Sequence, residues 1–277
     1  MADFVDETRR PLAPPKADPV VSRRKFGVAY LVLAAIVGAA VGLIVVLSTR
    51  NDTTTTRTAD FSAWSPTQPD GTARTREIGT KVATGYRLEN GHQLVGVLGG
   101  PMEFPRVGGP IKVAALLIGA GNAGVTTENV GAAFPNAGIF YQLVGRKPPD
   151  GQIEGTPTAV RGALLFREVL ELALYTFHYQ PQADHIVFFL PPAPGVPQND
   201  PRYQRAIYVP REALRDELSR PLDQTLTPRQ TITPEDLTTA EANKVLGILK
   251  GRLYHFDYQQ LSNSTLILQL TPLEPYG

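Results

Sequence analysis

Hydrophobic and polar positions are patterned in two different ways along this chain. From Phe26 to Leu47, FGVAYLVLAAIVGAAVGLIVVL, 22 consecutive residues include no charge, no proline and no amide side chain. As a helix this run extends about 33 Å, enough to cross a bilayer core ~30 Å thick. Lipid offers backbone N–H and C=O groups no partner, so the helix, which pairs its own, is the expected state there.

Beyond this run the apolar positions become periodic. Ala73 to Val82 reads as a short helix, with Ile78 and Val82 one turn apart. Tyr86–Leu88 and Gln93–Leu98 flank Glu89-Asn90-Gly91-His92, which predicts a hairpin closed by a type I′ turn. Gly99-Gly100-Pro101 and residues 108–110 (Gly-Gly-Pro) bracket an irregular loop. Ile111 to Ile118 reads as a buried strand. A strand over Gly138–Gly145, a helix from a Thr156 cap and Pro157 to Tyr179, and a strand over His185–Leu190 together predict a right-handed βαβ unit. Ala206–Val209 follows as a short strand, and Pro210–Ser219 as a helix. Thr233-Pro234-Glu235-Asp236 has a cap, a proline and two acids in helix-opening order, with Leu237, Leu246 and Leu249 facing inward and Gly251 as the stop. Leu253–Gln259 and Thr265–Leu270 alternate as an antiparallel hairpin.

These patterns divide the chain into a disordered cytoplasmic tail (1–25), a transmembrane helix (26–47), a Thr-rich linker (48–60) and a mixed α/β domain (61–277). That domain is expected to contain at least one βαβ unit and antiparallel hairpins. Arg9, Arg10, Lys16, Arg23, Arg24 and Lys25 precede the apolar run, whereas Arg50 and Arg57 are the only cations in the linker. The positive-inside bias keeps the N-terminus in the cytoplasm and exports the domain. Ser22-Arg23-Arg24-Lys25-Phe26 resembles the start of a twin-arginine export signal, but the three cations are accounted for as the inner anchor. Ala34, Gly38 and Gly42 form a ridge of small residues through which two such helices can dimerise.

Composition narrows the chemistry. The 277 residues carry a net charge of +1, too little cationic excess for a nucleic-acid partner. Absence of cysteine rules out disulfides, thiolate nucleophiles and cysteine metal sites. The four histidines show no metal-ligand spacing, and no nucleophile elbow, P-loop or H-E-x-x-H pair occurs, so no metal and no cofactor is expected.

Two constellations remain. Gly119-Ala120-Gly121-Asn122-Ala123-Gly124 is a literal G-x-G-x-x-G after a strand, the pattern of a dinucleotide-binding turn. The segment after it holds Gly131 and Pro135, and the next strand ends in Arg146-Lys147 rather than an acid. Gly119, Gly121 and Gly124 are therefore read as a flexible loop, with a dinucleotide site as the reading if the topology is reversed. The second constellation lies on the 157–179 helix. Arg161, Arg167, Glu168, Glu171 and His178 fall in an arc of about 120°, with Tyr175 and Tyr179 beside them. This stripe is read as a solvated face laced by pairs such as Arg167–Glu171, the alternative being an anion-binding or acid–base site.

The basic tail, single apolar run, Trp64-Ser65-Pro66 and Leu170–Tyr179 followed by Phe188-Phe189-Leu190-Pro191-Pro192 resemble a group of actinobacterial single-pass membrane proteins. The resemblance implies topology and carries no activity. The expected function is a non-enzymatic, membrane-anchored binding or scaffolding module of the bacterial cell envelope. Its partners would be the bilayer, an envelope protein and a second copy through the transmembrane helix. An envelope hydrolase using the 157–179 stripe is the alternative.

Overall fold

The computed structural model describes residues 61–101, 103–104, 111–119, 130–133, 137–147, 151–260 and 265–273. The tail, the apolar run with Ala34, Gly38 and Gly42, and the linker lie outside the described residues, as do Gly121 and Gly124. Among the described residues, no helix is long and apolar enough to cross a membrane.

A mixed sheet organises the domain. Its strands are β1 (Gly96–Pro101), β2 (Glu103–Phe104), β3 (Ile111–Gly119), β4 (Val130–Ala133), β5 (Gly138–Val144), β6 (His185–Phe189), β7 (Arg205–Pro210), β8 (Leu253–Gln260) and β9 (Leu266–Pro272). The spatial order is β1-β5-β6-β7-β8-β9-β3, with the short strands β2 and β4 added on β3. β5 and β6 run parallel, as do β3 and β9, and the other pairs are antiparallel. The helices are α1 (Thr72–Gly85), α2 (Ala159–Tyr179), the single turn α3 (Arg215–Leu218) and α4 (Thr239–Ile248).

The predicted βαβ unit is β5-α2-β6. Every residue of β6 is buried and all but two of β5, as parallel strands require when both faces are covered. Ile139, Tyr141 and Leu143 of β5, with Ile186 and Phe188 of β6, pack with Leu164, Leu170, Leu172, Leu174 and Phe177 of α2. The alternate residues Phe140, Val187 and Phe189 face a second apolar cluster with Leu266, Leu268 and Leu270 of β9. Tyr141 is fully buried, and its hydroxyl bonds Thr176 Oγ1 at 2.8 Å. Arg211 ends α2: its guanidinium donates to the carbonyls of Phe177, Gln180 and Ala183 at 2.7–2.8 Å, meeting acceptors that the last turn leaves open.

Several local expectations change in three dimensions. α2 is capped by Thr158, whose side chain accepts from Arg161 N, not by Thr156. The 89–92 turn exists, but Leu88 O accepts from Gly91 N, so its central residues are Glu89 and Asn90. Gly91, at φ 79°, closes a three-residue loop of the bulged kind instead of occupying a type I′ position. After one bridge, Arg87 to Gln93, the chain leaves this hairpin, and β1 pairs with β5 instead. Gly99, Gly100 and Pro101 belong to β1 rather than to a loop. Gly99 is required there: a Cβ would lie 2.6 Å from both Thr75 Cγ2 and the Tyr141 ring, so it lets α1 descend onto the sheet. Thr233–Asp236 forms its capping box but only one 3-10 turn, and α4 restarts at a second cap, Thr238. In α4 the inward residue is Val245, and Leu246 is exposed.

The strand order around Gly119 differs from that of a dinucleotide fold. Gly119 pairs with Val130 in an antiparallel β3–β4 ladder, so the strand after the glycines returns beside β3. A dinucleotide fold instead places a helical crossover and a parallel strand after its glycine turn.

Candidate functional site

The polar stripe of α2 does not form one solvated face. Its five members separate into three environments. Arg161 and His178 are 17 positions apart, roughly 25 Å along a helix, too far to share one small ligand.

Arg161 works at the N-terminal end. It pairs with the Glu89 carboxylate, its Nε 3.1 Å from each oxygen, and its Nη1 donates to the carbonyls of Glu154 and Thr156 at 2.9 and 2.8 Å. It thereby fastens the 89–91 turn and the approach to the helix. His178, at the other end, stacks on Phe61 with ring centroids 4.1 Å apart. Burial, and then nearby Arg211, push its pKa below the ordinary histidine value, so the ring is neutral at neutral pH.

Arg167, Glu168 and Glu171 occupy the middle. Arg167 is 1% exposed and Glu168 fully buried, which excludes the expected solvated face. The Arg167 guanidinium donates to Tyr86 Oη (2.5 Å), Glu171 Oε2 (3.1 Å), Glu241 Oε1 (2.8 Å) and Thr227 O (2.7 Å). Tyr86 in turn donates to Glu171 Oε2 at 2.5 Å, and Thr227 N donates to Glu241 Oε1 at 3.1 Å. One buried cation thus ties α1's C-terminal flank, α2, the 225–228 segment and α4 together. A planar fork of donors that meets four fixed acceptors is what arginine supplies and lysine cannot.

Charge in this network follows from its contacts. Burial works against the Arg167 cation, but Tyr86, Glu171 and Glu241 hold its pKa above the ordinary arginine value. Burial raises the Glu241 carboxyl, but the bond and charge of Arg167 together with the bonds from Thr227 outweigh it, leaving Glu241 below its usual range. Tyr86 is pushed well up by burial and then by the Glu171 charge, so it stays a neutral donor. Glu168 takes no part. Among the described residues its two oxygens have no hydrogen-bond partner, and burial followed by the Glu171 charge raises its pKa well above the carboxylate range. It is a neutral acid inside the core.

Above the network lies a pocket of about 360 Å³ between α1, α2, the 61–64 segment and residues 221–232. Its aromatic walls are Phe61, Trp64, Tyr86 and Tyr175, and the buried Arg167 and the partly exposed Glu171 lie at its floor. The 61–64 segment is held by bonds from distant parts of the chain: Tyr179 Oη donates to Trp64 O at 2.8 Å, and Leu222 N to Phe61 O at 2.9 Å. Trp64 meets Tyr175 edge to face, with centroids 5.3 Å apart. The opposite wall is pinned by the parallel bridge of Tyr86 to Ile232 and by the Arg167–Thr227 bond. Both walls therefore rest on α2 or on strand-like pairing, and the cavity is preformed.

A larger cleft, about 680 Å³, lies on the other side of the sheet along β1. Phe140, Phe189, Leu190 and Phe256 line it, with Arg76 and Glu103 as its charged groups. The smaller pocket is chemically the richer one. Among the described residues, no three His, Asp or Glu side chains converge as they would on a metal ion.

Sequence reasoning found Arg167, Glu171 and Tyr175 but missed Phe61, Trp64, Tyr86 and Glu241 as members of this site. Tyr86 sits beyond α1 and Glu241 in the first turn of α4, 81 and 74 positions from Arg167. No local periodicity could have joined them. The chain matches no protein-family model, no curated protein and no solved structure.

Proposed function

We propose that this chain is a membrane-anchored binding module of the bacterial envelope, displaying its mixed α/β domain outside the membrane and recognising its ligand in the aromatic pocket beside α2. The observation that carries the binding half is the division of polar capacity. Arg161, Arg167 and His178 are each engaged by internal contacts, while a preformed, largely apolar pocket stays open above Arg167. Concave, mostly apolar cavities with a few oriented polar groups are the usual form of small-ligand sites. Support for the anchored half comes from the Phe26–Leu47 run and the cation excess before it. The hydrolase reading gains no comparable support, because Arg161, Arg167 and His178 are dispersed and each is held by structural contacts.

Binding is tested through Trp64, the single tryptophan of the chain. The full chain in nanodiscs is titrated with a set of small neutral, anionic and cationic amphiphiles while its emission is followed. At least one class should give a saturable change, lost in Ala63→Phe, which adds bulk at an exposed wall position. No saturable response from any class would overturn the pocket as a recognition site. Orientation is tested by Asn243→Cys on the exposed side of α4, in a chain with no other thiol. A membrane-impermeant maleimide should label it in intact cells. Labelling only after lysis would reverse the topology.

A further inference from the structure

We infer that the ligand of this pocket is an organic cation, an amine or guanidinium carried on an apolar stem, whose charge sits against Glu171 and whose stem lies along Trp64, Phe61 and Tyr175. The inference rests on the reading of this pocket as a binding site.

Three observations converge on it. The first is charge. Arg167 is one cation shared between two carboxylates, Glu171 and Glu241, and of the two only Glu171 lines the pocket. At the rim Arg229 is matched by Asp236 at 3.3 Å, and the exposed Lys81 and Asp223 offset each other in sign. Glu168 adds no charge while it remains protonated.

The second is the orientation of Glu171. Its Oε2 receives both the Tyr86 hydroxyl and Arg167, which fixes the carboxylate plane. Among the described residues, its Oε1 has no hydrogen-bond partner, and the side chain is 19% exposed where it lines the pocket. An oriented acceptor with spare lone pairs is ready for a charged donor. The third is the wall. Aromatic faces carry negative electrostatic potential and attract ammonium and guanidinium groups, and this pocket has four aromatic side chains around the carboxylate. An anion would meet the Glu171 carboxylate and a guanidinium whose three nitrogens are already bonded to four acceptors.

The full chain in nanodiscs is titrated at constant ionic strength with n-butylammonium, butyrate and 1-butanol, following Trp64 emission. Butylammonium should give a saturable change that the other two do not, and Glu171→Gln should weaken it by about tenfold or more. A saturable response to butanol or butyrate equal to that of the amine would overturn the charge assignment and leave the pocket reading standing. So would unchanged amine affinity in a Glu171→Gln protein with wild-type near-ultraviolet circular dichroism. Silence toward all three probes would overturn the assignment, while a response to another class in the wider set would still support the pocket. If the Glu171 variant does not fold, the wild-type comparison of amine with alcohol decides the matter by itself.

Discussion

Replacing Glu168 with methionine should make this protein more stable, although it deletes a charged residue type from the middle of its longest described helix. Glu168 is fully buried, and among the described residues neither carboxyl oxygen has a hydrogen-bond partner. A buried polar group left unpaired costs about 1–3 kcal/mol. Methionine has nearly the same length and shape, and swaps of that kind in a core cost less than about 1.5 kcal/mol. The expected net gain is about 1–2 kcal/mol at neutral pH, and a domain of this size gains about 2–4 °C in Tm per kcal/mol.

The gain should also depend on pH, with a sign that can be worked out. In the unfolded chain Glu168 titrates near its ordinary value of 4.5, whereas burial, then Glu171, raises it well above that in the fold. Above pH 4.5 the unfolded state releases the proton while the folded state keeps it, so the wild type loses stability as pH rises from there towards the folded value. Methionine removes this loss. Glu168→Met should therefore stabilise more at pH 8 than at pH 5. Thermal unfolding of the two proteins at both pH values, followed by Trp64 emission, measures it. A methionine variant less stable than wild type at both values, or a gain that does not change with pH, would refute the picture of a neutral, unpartnered acid.

Arg167→Lys should destabilise by about 3–5 kcal/mol, because a single ammonium cannot reach the four acceptors and leaves buried carboxylates partly unpaired. The same thermal assay checks it, and a near-neutral result would mean the network is dispensable. Gly99→Ala should cost about 1–3 kcal/mol by driving Thr75 and Tyr141 apart. Gly100→Ala, where a Cβ would meet nothing within 4 Å, should be nearly silent and serves as its control.

What the sequence determined by itself is local or periodic. The βαβ core, the terminal β8–β9 hairpin and the inward sides of α1 and α2 were readable because their apolar positions repeat at strand or helix spacing. Cap identities slipped by two residues at α2, since Thr156 and Thr158 offer the same hydroxyl chemistry and only the path of the chain selects Thr158. Tertiary structure alone decided that β1 leaves its hairpin for β5, and that β3 and β4 join in an antiparallel ladder. It also decided the fate of the charged stripe. A helical arc gives the direction in which a side chain points from its axis but not what stands there. The Arg167 arc is buried because Tyr86, Thr227 and Glu241 arrive from three distant parts of the chain. Those acceptors meet the cost of removing a guanidinium from water, and no window of sequence around residue 167 contains them.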